Sequence, residues 1–148
     1  MLKTVSIIDS KKVKKVLSDY LLFGNKATNF GIRLIEGYKY FINLKESSGV
    51  LEKNLFCYKY EDIFSHIAIL YLAENRDERF LTYIQKYFFE NYKDKIVKEP
   101  LLSGAEIMGL LNLRPSKEVG EIKEKLILAQ LEGKVKTKEE AVRFIKSL

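Results

Sequence analysis

Apolar residues recur at three- and four-residue spacing along almost the whole chain, and this periodicity restricts the fold more than any other feature. Its clearest case is the aromatic stripe formed by Phe80, Ile84, Phe88 and Tyr92 at strict four-residue spacing. Since an α-helix has about 3.6 residues per turn, such spacing puts these side chains on one face, which we expect to be core. Only Thr4–Ile8 alternates in a way that suggests a strand. The sequence predicts an all-α fold, a compact bundle of about six or seven helices that ends in short helical hairpins.

Polar and glycine-bearing stretches mark the ends of the predicted helices. We expect the first helix to end near Phe23-Gly24-Asn25, and the clearest break lies at Ser47–Gly49. This break separates a basic helical N-terminal segment, residues 1–48, from a helical domain, residues 49–148. The segment either belongs to the same fold as that domain or forms a helical arm attached to it. The run Ile63–Ala73 is apolar on nearly every side, which predicts a helix at the centre of the core. The helices after the first are expected at about 28–44, 61–74, 77–92, 103–111, 116–132 and 137–148.

The net charge of +6 comes from 26 basic and 20 acidic residues and is unevenly distributed. Residues 1–60 carry 11 lysines and arginines against 5 acidic residues, whereas the rest of the chain is close to neutral. Lys11, Lys12, Lys14 and Lys15 lead this surplus. A positive field of this kind favours polyanions, with RNA as the first candidate and an acidic membrane as the second. A solvated lysine-rich surface explains the charge equally well.

Composition also limits the compartment. The longest uninterrupted apolar run, Ile67–Ala73, is far shorter than the roughly 20 residues that a membrane-spanning helix needs. The N-terminus lacks a signal-peptide pattern, and the single Cys57 rules out an internal disulfide. We therefore expect a protein of the reducing cytoplasm that has no membrane partner.

Signals of catalysis are weak. His66 is the only histidine, and although Asp62 lies one turn before it, a zinc or phosphohydrolase site needs several more ligands. We expect His66 at a buried or boundary position and Cys57 as a packed thiol. The glycines of LLFGNKATNFG do not fit the phosphate-loop pattern. The sequence predicts no catalytic residue, no bound metal and no cofactor.

The segment PLLSGAEIMGLLNLRPSKEVGEIKEKL contains a tight corner, LRPS, between two apolar helical stretches. Ser103 and Glu106 have the spacing of a capping box, and Pro115 is expected to end the helix that they begin. Ser116 is a candidate cap for the next helix. Gly120 costs about 1 kcal/mol relative to alanine in a helix, which suggests a close approach of the preceding helix there.

This corner supports two interpretations. In the first it is only a well-capped helical hairpin, which the spacing alone favours. In the second, free amides at the start of the following helix, with Arg114 and Lys117 beside them, receive a phosphate. Further on, Gly133 is placed to end that helix, and Thr137 with Glu140 forms a second capping box.

Five short elements follow one another in the last third of the chain: Leu102-Ser103-Gly104, Ile107-Met108, Pro115 with Gly120, Leu131-Glu132-Gly133-Lys134-Val135, and Thr137-Lys138-Glu139-Glu140-Ala141. In this order and spacing they resemble the C-terminal end of bacterial class II tRNA nucleotidyltransferases and poly(A) polymerases of the CCA-adding type. The resemblance extends from about Glu61 to Leu148 and includes the apolar run that ends near Asp77. Before Glu61 it is weak.

The resemblance implies an all-α body and tail that grips tRNA while a separate head adds nucleotides. The signature of that head is absent, since the chain has no Gly-Ser followed by Arg-Asp and no Asp-x-Asp pair to hold Mg²⁺. The corner LRPS also departs from the Gly-x-Pro-Gly-like corner of the family. We therefore expect a non-catalytic RNA-binding domain that acts in tRNA 3′-end maturation with a catalytic nucleotidyltransferase subunit. By itself this chain is not expected to polymerise nucleotides.

The predicted contacts to tRNA or another structured RNA are cations and amides that hold the backbone and read shape. They are Arg114, Ser116 and Lys117 in the corner, Lys134, Lys136 and Lys138 in the last loop, and Lys11, Lys12, Lys14, Lys15, Arg33 and Lys39 in the N-terminal part. The alternative is a helical protein-interaction module, with Phe56, Tyr58 and Tyr60 as its candidate contact, or a remnant that binds no RNA. Binding that survives high salt favours the protein partner, and steep salt dependence favours RNA.

Overall fold

The computed structural model describes residues 9–22, 24–75 and 78–148. In these ranges every regular element is helical and no strand occurs, which confirms the all-α class predicted from the periodicity. The possible strand at Thr4–Ile8 and the predicted helix end at Phe23 lie outside the described residues. No helix in the same ranges is both long and apolar enough to cross a lipid bilayer.

Most of the predicted helices are present within two or three residues of their expected bounds. The α-helices in the described residues are α1 (Ser10–Lys15), α2 (Asn25–Asn43), α3 (Val50–Tyr60), α4 (Phe64–Asn75), α5 (Glu78–Tyr87), α6 (Gly104–Leu111), α7 (Lys117–Leu131) and α8 (Lys138–Lys146). A 3₁₀ turn, Glu61–Ile63, joins α3 to α4, and π turns continue α1 over Val16–Tyr20 and α5 over Phe88–Tyr92.

Helix α3 has no counterpart among the predicted helices. Its sequence, VLEKNLFCYKY, is rich in aromatic residues of modest helix propensity, and its apolar residues do not form one clear face. Packing stabilises the helix instead, since Phe56 and Cys57 are both almost fully buried. The prediction that Cys57 is a packed thiol is confirmed.

Contacts within the chain divide it into two compact units. The first consists of the described residues of 1–48 and 56–85, and the second consists of residues 49–55 and 86–148. Helices α3 and α5 each contribute residues to both units. Each unit has a core of its own.

An aromatic cluster around Phe41 forms the core of the first unit. The ring centroids of Phe56, Tyr71 and Phe80 lie 5.3, 5.0 and 5.2 Å from that of Phe41, within the range of favourable tilted and edge-to-face contacts. Helix α2 packs against α4. They approach closely at Gly37, where a Cβ atom would lie only 2.7 Å from Ile67 Cδ1.

The prediction that the helix over Ile63–Ala73 lies at the centre of the core is wrong. In α4 only Ile67 is fully buried, whereas Ile69 keeps 66% of its surface exposed. His66, expected at a buried or boundary position, is exposed, and its ring meets that of Phe30 edge-on at a centroid distance of 5.1 Å. A helix that is apolar on all sides does not show from its sequence which side other helices will cover. Here α2 packs against only part of the surface of α4.

The second unit is built on the three C-terminal helices. Helix α6 packs against α7 and α8, and α7 packs against α8. Their apolar faces meet in one cluster, whose buried members are Leu102, Ile107, Val119, Ile122, Leu126, Ala129, Val135, Ala141 and Ile145. This cluster holds the corner and the last loop in place.

A buried amide ties the irregular segment before α6 to this core. Gln130, on α7, is only 2% exposed. Its Nε2 donates to the carbonyls of Val97 and Glu99 at 2.9 and 3.0 Å, and its Oε1 accepts from the N–H of Leu101 at 3.0 Å. One side chain therefore replaces the hydrogen bonds that this segment would otherwise make in a helix or sheet.

Candidate nucleic-acid interface

The corner between α6 and α7 starts from a well-capped helix. The N–H of Glu106 donates to Ser103 Oγ at 3.2 Å, and the N–H of Ser103 donates to Glu106 Oε2 at 2.8 Å. These reciprocal bonds satisfy amides that the first turn of α6 leaves without an intrahelical partner. The predicted capping box is confirmed.

Asn112 makes the turn at the corner. Its backbone is left-handed, with φ 52° and ψ 38°, a conformation that asparagine tolerates better than most residues. The N–H groups of Asn112 and Leu113 both donate to the carbonyl of Met108. Helix α6 thus ends at Leu111 with Asn112 as its C-cap, whereas Pro115 was expected to end it. The signal was present in the sequence as an asparagine directly after the last apolar helical residue.

The capping prediction at Ser116 is wrong. Ser116 has extended backbone at the cap position of α7, but its hydroxyl accepts no hydrogen bond from the first turn. The first amides of α7 therefore have no side-chain cap within the described residues, and the positive end of the helix dipole lies there. Glu118 in the first turn offsets part of this positive potential.

The expectation of a close helix approach at Gly120 is also wrong. Gly120 is exposed, and a Cβ atom built on it would meet nothing within 4 Å among the described residues. Helices α6 and α7 instead approach near Gly104, where a Cβ would lie 3.8 Å from Val119 Cγ1. Gly120 has no packing role in this structure.

Two exposed cations flank the start of α7. Arg114 is exposed, and no carboxylate pairs with it in the part of the chain that the structure describes. Lys117 lies 3.4 Å from Glu121 one turn later, and its side chain is 92% exposed. An exposed pair of this kind contributes only about 0.3–0.5 kcal/mol, so it does not prevent Lys117 from turning to a phosphate.

The loop between α7 and α8 closes through Gly133. This residue has φ 81°, its N–H donates to the carbonyl of Gln130, and the N–H of Lys134 donates to that of Ala129, both at 2.9 Å. These two bonds form a Schellman motif, which confirms the predicted glycine stop. The ammonium of Lys134 pairs with Glu132 at 2.8 Å.

Only one of the two hydrogen bonds of the predicted capping box forms at the start of α8. Thr137 Oγ1 accepts from the N–H of Glu140 at 3.2 Å, which confirms the cap. The second bond of the expected capping box does not form, since the carboxylate of Glu140 accepts from the N–H of Lys136 at 2.7 Å instead. The side chain of Lys136 has no ion-pair partner among the described residues.

Lys138 pairs with Glu106 and so links the first turn of α8 to the first turn of α6. This ammonium, together with the N–H and hydroxyl of Ser103, lowers the pKa of Glu106 from its usual 4.5 to about 2. The sequence predicts an RNA contact at Lys138 and a cap at Glu106, and it contains no local signal that these two side chains pair.

The structure separates the predicted contacts of this unit into two groups. Arg114, Ser116 and Lys117 lie at the start of α7, whereas Lys134 lies just beyond its end. Fifteen residues at about 1.5 Å rise place the two ends of α7 roughly 22 Å apart. The corner and the last loop are thus two separate groups of cations, each able to meet a different stretch of backbone.

In the first unit, the basic cluster lies on a short helix. Lys11, Lys12, Lys14 and Lys15 are all exposed on α1, and Asp9 caps this helix by accepting from the N–H of Lys11 at 3.1 Å. No ion pair involves these lysines or the half-buried Lys39 in the described ranges.

Arg33 is engaged within the protein. Its Nη1 and Nη2 donate to the two carboxylate oxygens of Asp62 at 2.8 and 2.9 Å, and Nη2 also donates to the carbonyl of Lys59 at 2.7 Å. The paired guanidinium lowers the pKa of Asp62, and the carboxylate raises the pKa of Arg33. This bidentate contact joins α2 to the turn after α3.

The other candidate sites considered from the sequence were a metal site and a protein contact. No group of three histidine, cysteine, aspartate or glutamate side chains within the described ranges could hold a metal ion. Of the candidate protein-contact residues, Phe56 is only 1% exposed and belongs to the core, whereas Tyr58 is exposed and Tyr60 is half-buried.

Comparison with known proteins adds one partial similarity. The chain is 50% identical over 56 residues to the CC-adding tRNA nucleotidyltransferase of Thermus thermophilus. The matched stretch is 38% of this chain and only 13% of that enzyme. No protein-family model matches the chain, and no solved structure matches it significantly. Part of the chain is therefore related to a tRNA nucleotidyltransferase.

Proposed function

We propose that this chain contains a tRNA-binding helical domain that serves as the non-catalytic, tRNA-gripping part of a nucleotidyltransferase system in tRNA 3′-end maturation. The observation that carries the proposal is the 50% identity over 56 residues to a CC-adding tRNA nucleotidyltransferase. Identity at this level over a continuous stretch is hard to obtain unless the two segments share ancestry. A catalytic head, absent from this sequence, would act from another chain or another part of the protein.

The arrangement of the second unit supports this proposal. Arg114 and Lys117 lie on either side of the uncapped first amides of α7, where a phosphate oxygen can accept hydrogen bonds and meet positive charge. Lys134 and Lys136 lie beyond the other end of the same helix, roughly 22 Å away by helical rise. Two groups of cations at a fixed separation can contact the RNA phosphate backbone at two places. Such contacts select an RNA by its shape and not by its base sequence.

In the first unit, Lys11, Lys12, Lys14 and Lys15 provide a separate positive surface that attracts RNA from a distance. Lysines on an exposed helix keep their mobility until they meet a phosphate, and they release counterions when they do. Their contribution is therefore to affinity and to association rate, with little effect on which RNA is chosen.

The test is a fluorescence-anisotropy titration of labelled tRNA at 50 and 200 mM salt, with duplex DNA of equal charge as the competitor. We expect binding that prefers tRNA and weakens by about tenfold or more over this range, because several phosphates are neutralised. Equal, weak binding to both nucleic acids, or no binding, would contradict the proposal.

A double charge reversal separates the corner from the general positive field. Arg114→Glu with Lys117→Glu is expected to weaken tRNA binding at least tenfold, since each exchange replaces an attraction with a repulsion. The melting temperature should change little, because both side chains are exposed and a glutamate suits the first turn of α7. The matched control is Lys125→Glu with Arg143→Glu, an equal change of charge at exposed positions of the same unit. If both double variants bind equally, the corner is only a turn.

One observation favours a protein partner as the second candidate function. Ile69 on α4 is 66% exposed, and the nearby Leu72 and Ala73 are half-buried and exposed, so the apolar surface continues along the helix. Contiguous exposed apolar surface is typical of protein-interaction sites. This surface replaces the contact predicted at Phe56, which is buried. This alternative would be supported if a catalytic nucleotidyltransferase subunit bound the chain at 500 mM salt and if Ile69→Asp abolished that binding.

A further inference from the structure

Phe89 is exposed although the aromatic residues next to it in the same turn are half-buried or buried. It keeps 63% of its surface accessible, whereas its neighbour Phe88 is half-buried and Tyr92 is fully buried. The four-residue spacing that predicted a core stripe passes through Phe88 and Tyr92 and leaves Phe89 off the buried face.

A π turn presents this ring. The N–H of Lys93 donates to the carbonyl of Phe88 at 2.8 Å, five residues back, so Phe88–Tyr92 forms a wider turn than the α-helix before it. Such turns occur frequently at functional sites. Here the turn ends α5 and leads directly into the polar segment Lys93–Glu99.

One lysine contacts the exposed ring, and two more lie in the segment that follows it. The ammonium of Lys93 lies 5.3 Å from the centroid of Phe89, and that of Lys98 lies 5.2 Å from the centroid of Tyr92. Lys95 is exposed in the same turn. The nearby carboxylates are Asp94 and Glu90, and Glu90 is 3.9 Å from the ammonium of Lys86. The exposed cation–π contact at Phe89 is worth only about 0.5–1 kcal/mol, so Lys93 can leave the ring for a stronger partner.

An exposed aromatic ring beside mobile lysines is the arrangement that binds single-stranded nucleic acid, where the ring stacks a base and the cations hold the adjacent phosphates. A protein partner would instead require a wider apolar patch. Apart from the half-buried Phe88, whose ring meets that of Phe89 edge-on at 5.3 Å, the next residues along the turn are polar and exposed, namely Glu90, Asn91 and Lys93. We propose that Phe89 stacks an unpaired base of RNA while Lys93 and Lys95 contact its phosphates. This inference rests on the proposed function and adds a contact for an unpaired nucleotide.

The chain contains no tryptophan, so Phe89→Trp creates a unique fluorescent reporter at the site. We expect its emission to be quenched when a single-stranded oligoadenylate of about six nucleotides, or tRNA, is added, since stacking on a base quenches indole. The control is Leu128→Trp, at a position of the same unit that is 42% exposed and lies on α7. Its emission is expected to change little.

Affinity measurements with the oligoadenylate and with tRNA complete the test. Phe89→Ala should weaken binding of the oligoadenylate by about 5- to 100-fold, the loss expected for one stacked base, and Phe89→Tyr should keep it within about twofold. Phe89→Tyr should melt like the wild type, and Phe89→Ala should lose only about 0.5–1 kcal/mol of stability, because the ring is exposed and its main contacts are those with Lys93 and Phe88.

The two proposals fail in different ways. If tRNA binds to the wild type and to Phe89→Ala equally, and the tryptophan at position 89 is not quenched, the stacking contact is refuted and the tRNA-binding proposal stands. If the wild type binds neither RNA at 50 mM salt, both proposals are refuted. Quenching at positions 89 and 128 alike would mean nonspecific association and would also overturn the stacking contact.

Discussion

Lys138, in the first turn of α8, pairs with the carboxylate of Glu106, in the first turn of α6. The same carboxylate closes the capping box of α6 by accepting from the N–H of Ser103. One glutamate therefore caps its own helix and holds a second helix against it. Helices α6 and α8 thus meet at this carboxylate, and the stability of their contact should depend on its ionisation.

We expect this pair to make stability depend on pH in the acidic range. The pKa of Glu106 is lowered from 4.5 to about 2, so its contribution is complete above pH 4.5 and is lost as the pH falls toward 2. Glu106→Gln keeps the capping box, since glutamine can accept the same bond, but removes the charge that faces Lys138. The difference in melting temperature between wild type and variant should therefore shrink from pH 6 to pH 2. A constant difference would show that the pair contributes nothing.

Two glycine-to-alanine exchanges in helices are expected to have opposite signs. Gly37→Ala should destabilise by about 1–3 kcal/mol, because the new methyl group would lie 2.7 Å from Ile67 Cδ1 and 2.9 Å from a ring carbon of Tyr60. Gly120→Ala should stabilise by about 0.5–1 kcal/mol, because alanine has the higher helix propensity and its methyl group would meet none of the described residues within 4 Å. Denaturant unfolding of the two variants measures both effects. Destabilisation by Gly120→Ala would mean that a contact exists at that position.

Gln130 is expected to be the most sensitive polar residue of the second unit. Gln130→Leu should cost about 2 kcal/mol or more, since it removes three hydrogen bonds to backbone groups of Val97, Glu99 and Leu101. The matched control is Gln85→Leu at an exposed position, which should stay within about 0.5 kcal/mol of the wild type. Hydrogen exchange should also show faster exchange of the Leu101 amide in the Gln130 variant. Equal stability of the two variants would contradict the role of Gln130.

Arg33 is expected to affect stability more than RNA binding. Arg33→Lys loses the bidentate contact to Asp62 and should lower the free energy of unfolding by about 1 kcal/mol, the upper range for an exposed pair. The affinity for tRNA should stay within about twofold of the wild type, because a guanidinium with three acceptors in the protein has little left for a phosphate. The comparison is Lys14→Ala, which should weaken tRNA binding and leave the unfolding free energy unchanged. If Arg33→Lys instead weakened tRNA binding and left the free energy of unfolding unchanged, Arg33 would be a contact to RNA as the sequence predicts.

Features that depend on neighbours in the sequence were predictable. The spacing of apolar residues predicted the all-α class, and the Ser103–Glu106 and Thr137–Glu140 spacings predicted two helix starts. Gly133 predicted a helix end, because a positive φ at that position favours glycine whatever surrounds it. Each of these depends on backbone geometry and hydrogen bonds within a few residues.

Apart from the absent cap at Ser116, the main errors concern contacts with distant parts of the chain. Helix α4 was placed at the centre of the core because of its composition, yet Ile69 is exposed. Gly120 was assigned a packing role that Gly37 has instead, and nothing in the local sequence distinguishes these two helical glycines.

The sequence by itself determined the class of fold and where most of the helices begin and end, because capping, turn conformation and periodicity act over one or two turns. Only the tertiary structure decided which charges are engaged, since Arg33 meets Asp62 across 29 residues and Lys138 meets Glu106 across 32. It also decided that Phe89 is exposed while Tyr92 is buried, because exposure depends on what packs against a helix and not on the helix alone.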